Sequence, residues 1–258
     1  MVKSEKDSAI ISITTIREVE WLDYRACTYA DELALFRYKL DASTERDTYL
    51  QSLLQPDEIS RAQRYHQPAD RQRFIYSRAV LRALLGKHVN EQAGQILLSE
   101  GINKKPVLSN YPNVFFNVSH SGDWVLIAIS RMRVGVDVEQ IRPDFPVDDL
   151  LDSICSPKER AWIYKGADDI RLSFYQLWTR KEALVKATGK GISDAFQHVP
   201  SLDGLYSIES DLINAVGQWV VGGFILEEGY PASIAYNGKV ALPKFYTLDS
   251  GFFSYCEP

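Results

Sequence analysis

With 258 residues, 45% hydrophobic and 12% aromatic, the chain can form one large domain or two of ordinary size, and its composition excludes global disorder. The formal net charge of -5 argues against a surface that binds polyanions everywhere and leaves room for a local basic site. Cys27, Cys155 and Cys256 are too dispersed for a disulfide framework or a zinc site and fit a reducing compartment.

Residues 1–9 carry Lys3, Glu5, Lys6 and Asp7 and lead into a short apolar run, Ile10 to Ile16, without a signal-peptide cleavage site. The longest strongly apolar run, Trp124 to Ile129, is too short to span a bilayer. The expectation is a soluble cytoplasmic protein without a membrane partner.

Leu33 to Leu40 alternates like a strand, a helix is expected from about Thr44 to Leu54, and Pro56 opens another with Asp57 and Glu58 in its first turn. Pro68 breaks that run. An amphipathic helix is predicted over 70–88, with Phe74, Ala79, Val80, Leu81, Leu84 and Leu85 on its apolar stripe. Between Arg61 and Lys87 stand Arg61, Arg64, Arg71, Arg73, Arg78, Arg82 and Lys87, opposed only by Asp70. This local reversal of sign reads either as a solvated helix face or as a phosphate site. No RNA-recognition strand motif accompanies it, so nucleic acid is not expected as a partner.

Lys104-Lys105-Pro106 marks a turn, and Val114 to Val118 reads as a strand that becomes a loop at Asn117-Val118-Ser119-His120-Ser121-Gly122. Small hydroxyls and a glycine around His120 suit a phosphate contact. Trp124 to Ser130 and Val134 to Glu139 are expected to pair as a hairpin through Arg131, Met132 and Arg133.

In Gly135-Val136-Asp137-Val138-Glu139 the two carboxylates share one strand face, while Val134, Val136 and Val138 read as the core side. Two carboxylates about 4 Å apart at an effective dielectric of ~20 repel by roughly 4 kcal/mol, which favours a shared proton or an intervening cation. Oxygen-only ligands suit a hard ion such as Mg²⁺; a solvated edge strand is the alternative.

Helices are predicted over 147–154, 156–165 and 169–187. Ser156-Pro157-Lys158-Glu159 resembles a capping box, which explains Glu159 structurally. In the last helix Glu182 and Lys186 stand four apart on one face, and Gly189 closes it. Gln218 to Glu227 and Tyr230 to Tyr236 read as a hairpin turning at Glu228-Gly229, and an aromatic tail from about Lys239 is expected to pack on the body.

Taken in order, Lys105-Pro106, Phe116-Asn117-Val118-Ser119-His120-Ser121, Gly135-Val136-Asp137-Val138-Glu139 and Trp178-Thr179-Arg180-Lys181-Glu182-Ala183-Leu184-Val185-Lys186 resemble the 4′-phosphopantetheinyl transferases of the surfactin-synthetase type. The resemblance runs from about Pro56 to Ala235. It implies an α/β (α+β) pseudo-dimer of two similar subdomains, 1–131 and 132–258, with coenzyme A in the cleft between them and a monomer in solution. In the sequence the repetition is faint: the helices around 74–87 and 177–190 are comparable in length and both end in Gly-Lys.

The same resemblance implies transfer of the phosphopantetheine arm of coenzyme A to a serine of an apo acyl or peptidyl carrier protein, releasing adenosine 3′,5′-bisphosphate. Asp137, Glu139 and Glu182 would hold Mg²⁺. Glu182, Lys186 and Asp137 would be catalytic, with Glu182 preferred over Glu159 as base. Arg73, Lys105, Ser119, His120 and Arg61, with Asp137 and Lys186, would contact coenzyme A, while Arg64, Arg78 and Arg82 have no assigned role. The segment from Val147 to Arg171 is the expected acceptor surface. The competing readings are a non-catalytic carrier-binding adaptor of the same fold and a coenzyme-A-dependent enzyme with another acceptor.

Overall fold

The computed structural model describes residues 8–40, 47–101, 103, 105–166, 169–192, 195–238, 243–249 and 251–253. The start of the helix expected from Thr44, Lys104, Cys256 and parts of the expected tail lie outside these residues. In chain order the described elements begin with β1 (Ser8–Thr15), β2 (Trp21–Asp23), β3 (Leu33–Lys39), α1 (Asp47–Ser52), α2 (Pro56–Ala62) and α3 (Pro68–Val89). Then come β4 (Leu98–Glu100), β5 (Pro106–Leu108), β6 (Phe115–Ser121), β7 (Trp124–Ser130) and β8 (Val134–Val138). The remainder is α4 (Val147–Ile154), α5 (Pro157–Gly166), α6 (Ile170–Thr188), β9 (Gly204–Glu209), α7 (Ser210–Ile213), β10 (Gly217–Glu227), β11 (Tyr230–Asn237) and β12 (Lys244–Leu248).

Among the described residues the strands form two five-stranded sheets, ordered β2-β12-β3-β7-β6 and β8-β11-β10-β1-β9, and a small β4-β5 pair. Strand β7 shows why the large sheets stack. Its sequence WVLIAIS is buried throughout: Val125, Ile127 and Ile129 join the core shared with α3, while Trp124, Leu126 and Ala128 join the core between the sheets. The second sheet repeats this arrangement. Val134, Val136 and Val138 of β8 and Phe224 and Leu226 of β10 face the first sheet, while Trp219 and Val221 face the core containing Phe174, Leu177 and Leu184 of α6. The order of layers is helix, sheet, sheet, helix, with each half contributing one sheet and one long helix, so the molecule is an α/β pseudo-dimer.

The hairpin expected between 124–130 and 134–139 is absent. β7 pairs with β3 and β6, whereas β8 pairs with β11. Arg131 N still donates to Glu32 O at 3.0 Å and Met132 N donates to Ser130 Oγ at 3.0 Å, so the chain bends out of one sheet and enters the other. Strand β6, antiparallel to β7 on the side away from β3, runs through Ser121, and His120 therefore stands on a strand and not on a loop.

Two other expectations change. The acidic face of β8 is not a solvated edge, since Asp137 is only 1% exposed beneath α6. Helix α3 continues past Gly86-Lys87 to Val89 and is capped by Asn90 in the left-handed conformation, whereas α6 ends at Gly189. The hairpin of β10 and β11 forms as predicted, with Glu227 opposite Tyr230.

Ile10 to Ile16, considered above only as an apolar run, contains most of β1, whose Ala9, Ile11 and Ile13 alternate into the core. β1 pairs with β10 and β9, while β12 lies between β2 and β3. Divided at 131/132, each half therefore lends one strand to the other half's sheet.

Candidate active site

The site grows from the line where the two sheets meet. The odd-numbered amides of β8 face β11, as Glu139 N does in donating to Pro231 O at 3.1 Å. The even-numbered amides face β6, and side chains receive them: Val136 N donates to Asn117 Oδ1 at 2.8 Å, Val138 N to Ser119 Oγ at 3.4 Å and Gln140 N to Ser121 Oγ at 3.0 Å. Alternating polar side chains of β6 thus take the place of a neighbouring strand's carbonyls and close an otherwise open sheet edge.

Gly135 sets the other boundary. A Cβ there would collide with the Ala183 carbonyl oxygen and the Ala187 nitrogen, so only glycine lets the backbone of α6 lie directly on β8. Glu182 and Lys186, one turn apart, are thereby held over Asp137 and Glu139. Lys186 Nζ lies 2.5 Å from Asp137 Oδ1 and 3.3 Å from Ser119 Oγ, and Ser119 Oγ donates to Asp137 Oδ1 at 3.0 Å. Glu139 accepts from Ser121 Oγ at 2.9 Å.

Burial in this wedge pushes the Glu182 carboxyl up to about 7; Asp137 and Glu139 add to the shift against the pull of Lys186. Glu139 is raised by burial and by Asp137. Burial opposes the charge of Lys186, yet the Asp137 carboxylate, with Glu182 and Glu139, raises its pKa and keeps it protonated.

The basic residues form a second group. Arg61, Arg78, Phe74, Asn117 and His120 line a cleft of about 160 Å³. Arg61 and Arg78 both lie over the Phe74 ring, at 5.3 and 5.5 Å from its centroid. Arg73, on the same helix as Phe74 and Arg78, donates from Nε to Gly122 O at 3.0 Å and pairs with Asp70 at 2.6 Å. Desolvation and the charges of Arg73, Lys186 and Arg78 lower the His120 pKa and favour a neutral ring.

Lys105 sits apart from that cleft's cations. Its Nζ donates to Val134 O at 3.1 Å and Lys186 O at 2.6 Å, tying its loop to β8 and to the last turn of α6. Burial, with Arg133 and Lys186 nearby, lowers its pKa to about 8.

Two groups are structural. Arg82 is 1% exposed and donates to Glu58 Oε2 at 2.7 Å and Ile96 O at 2.5 Å. Glu159 closes the capping box, with Ser156 N donating to its Oε2 at 2.7 Å, and also receives Lys181 Nζ at 2.9 Å and Ser201 Oγ at 2.5 Å. Both of its oxygens are engaged and its side chain is 3% exposed, which leaves no route to an acceptor hydroxyl.

The residues fit a hard cation by their chemistry. Asp137 Oδ2 and Glu182 Oε1 are buried oxygens without a hydrogen-bond partner, an arrangement that is costly unless a cation or a proton satisfies it. The ligands are not preassembled: among the described residues no three His, Cys, Asp or Glu side chains are gathered around a common point, and Lys186 occupies Asp137 Oδ1.

Sequence reasoning left Arg78 unassigned and counted the Ser121 hydroxyl toward a phosphate contact, whereas the structure places it on Glu139 and the Gln140 amide. The signal for Ser121 was the match between Asn-x-Ser-x-Ser in β6 and Gly-x-Asp-x-Glu in β8, two period-2 patterns that the fold sets side by side.

Residues 133–235 match the family model described as the 4′-phosphopantetheinyl transferase superfamily, and residues 41–132 match that of 4′-phosphopantetheinyl transferase, N-terminal. The 4′-phosphopantetheinyl transferase HetI of Nostoc sp. is 29% identical over 222 residues, covering 84% of this chain and 92% of that protein. The putative 4′-phosphopantetheinyl transferase slr0495 of Synechocystis sp. is 37% identical over 153 residues, 58% of this chain and 62% of that one. The 4′-phosphopantetheinyl transferase Sfp of Bacillus subtilis is 27% identical over 170 residues, 65% of this chain and 75% of its own. Fold and matches together define a group-transferring enzyme built as a pseudo-dimer. The chain belongs to the 4′-phosphopantetheinyl transferase superfamily, in its Sfp-type branch.

Among the described residues no helix is long and apolar enough to cross a membrane.

Proposed function

We propose that the protein transfers the 4′-phosphopantetheine moiety of coenzyme A to a serine hydroxyl of an apo acyl or peptidyl carrier protein and releases adenosine 3′,5′-bisphosphate, in a Mg²⁺-dependent reaction. The observation that carries this reading is the meeting of a buried acid–lysine cluster with an arginine-lined cleft at the junction of the two sheets.

In this reading Arg61, Arg73, Arg78 and His120 bind the nucleotide phosphates. Asp137, Glu139 and Glu182 hold Mg²⁺, which when bound neutralises diphosphate charge and polarises the attacked phosphorus. Glu182 takes the proton of the acceptor serine as the serine oxygen bonds to phosphorus. The bond from phosphorus to the departing nucleotide oxygen breaks, and Lys186 donates a hydrogen bond to that oxygen. Lys105 positions Lys186 through its backbone carbonyl and also meets the nucleotide at the edge of the site.

The acceptor docks on α5 and the start of α6, where Trp162, Tyr164 and Ile170 are exposed beside Lys158 and Lys165. Charge reversal at Lys158 and Lys165 should raise the carrier KM; an unchanged value removes this face from the contact.

The deciding experiment incubates the protein with coenzyme A, Mg²⁺ and a panel of apo carrier proteins and weighs the carriers with and without chelator. A chelator-sensitive gain of one phosphopantetheine group is expected. Coenzyme A binding with no gain on any carrier would favour the adaptor or another acceptor. Asp137→Ala should abolish the gain while the protein stays folded, and near-normal transfer by that variant would remove Asp137 from the metal site.

A further inference from the structure

The bonds between β6 and β8 form a repeating unit. In each repeat, one β6 side chain receives the amide of the β8 residue that follows a site-facing position: Asn117 after Gly135, Ser119 after Asp137 and Ser121 after Glu139. All three bonds join residues 19 apart in sequence, so β8 lies parallel to β6 in a single register. In the two repeats that contain a carboxylate, the β6 residue is a serine that also binds that carboxylate.

A serine hydroxyl has one proton and two acceptor lone pairs, while a backbone amide can only donate. The Gln140 amide therefore occupies a lone pair of Ser121 Oγ, and the single proton of Ser121 is directed at Glu139 Oε2, 2.9 Å away. The serine is itself held from behind. It pairs with Trp124 across the β6–β7 ladder, and Gly122 beyond it turns with a φ of +54°, where a Cβ would meet the Tyr230 hydroxyl and lie 2.7 Å from Gln140 Oε1. Arg73 Nε fixes the same turn by donating to Gly122 O at 3.0 Å. The Ser121 hydroxyl is thereby held in place beside Glu139.

We infer that Ser121 is a positioning residue for Glu139. It fixes Glu139 Oε2, alongside a hydrogen bond from the Trp178 side chain to the same carboxylate, and it does not itself touch substrate. The inference rests on the metal role proposed above for Glu139. Outer hydrogen bonds to ligating carboxylates orient them, and losing one typically costs ten- to a hundredfold in metal affinity. The geometry also separates the two serines. Ser119 shares its bonds with Lys186 as well as Asp137, whereas Ser121 serves Glu139 and the Gln140 amide.

The test titrates the full chain with Mn²⁺, a hard-cation probe with similar oxygen-ligand preference, and reads free ion by its paramagnetic resonance. Ser121→Ala should raise the dissociation constant about tenfold or more, and Ser121→Thr, which keeps the hydroxyl, should stay within about threefold of the unsubstituted protein. Melting temperatures of the three proteins accompany the titration, because a purely structural serine would lower stability and leave the affinity of the folded fraction unchanged. Affinity within about twofold in Ser121→Ala, or equal weakening in both variants, would overturn the inference. Failure of the unsubstituted protein to bind Mn²⁺ would instead refute the metal role of Glu139 itself, and this inference with it.

Discussion

Glu182 combines two consequences of burial that pull in opposite directions. As the proposed base it must be ionised, and a cation bound beside it would draw its pKa below the value of about 7 that it has in the metal-free protein, so kcat should rise with pH along a limb centred below 7, and Glu182→Gln should abolish that limb and most of the activity. Folding pays for this. A glutamate in the unfolded chain loses its proton near 4.3, so between there and about 7 the metal-free native state holds a proton that the unfolded state has lost, and stability falls as pH rises through that window. On this basis Glu182→Gln should gain on the order of 3 kcal/mol relative to the unsubstituted protein between pH 4 and pH 8, as read by denaturant unfolding without metal. A gain of the same size at both pH values would refute the assignment. Lys186→Ala should lower kcat by about a hundredfold or more with a much smaller change in the coenzyme A KM; an effect confined to KM would make the lysine a substrate-positioning group. Residues of this kind were legible in the sequence because Asp137, Glu139, Glu182 and Lys186 sit in short motifs with fixed spacing. The engagement of both Glu159 oxygens was half legible: the capping box is local, while Lys181 and Ser201 approach from other segments.

At the scale of elements, the backbone of α6 packs directly on β8 at Gly135. Gly135→Ala would force the helix backbone off the strand, and we expect at least about 3 kcal/mol of destabilisation, seen as a lower denaturant midpoint, together with loss of activity. Glu159→Gln should cost a comparable amount, about 3 kcal/mol or more, because it uncouples buried Lys181, yet it should leave the pH dependence of kcat in place. A shifted pH profile would return Glu159 to the catalytic step. The helices were predicted well because their apolar spacing and caps are local properties. The hairpin was mispredicted for a physical reason: the short spacing between β7 and β8 satisfies a turn, but β7 is apolar on both faces and already has partners on both sides, β3 and β6. Nothing local reveals that the next strand belongs to another sheet. The strand character of Asn117-Val118-Ser119-His120-Ser121 was hidden because its polar side chains replace a ladder that is invisible without the partner strand.

For the whole molecule, the exchange of β1 and β12 makes the two halves inseparable. Calorimetry should show one unfolding transition with equal calorimetric and van't Hoff enthalpies, whereas two transitions would mean that each half holds its own core. Truncation before residue 243 should destabilise the first half, because β12 fills the position between β2 and β3. The pseudo-dimer reached the sequence reading through family resemblance, since the repeat lies in layers and not in residue identities. β1 escaped because its alternation is short and its partners, β9 and β10, lie about two hundred residues away. That distance sets a timetable for synthesis. The amino-terminal strand emerges first and must wait for residues 204–223, and the opening between β2 and β3 stays unfilled until residues 244–248 leave the ribosome. Neither sheet is complete before those residues have emerged, so a shorter chain presents open strand edges to its neighbours.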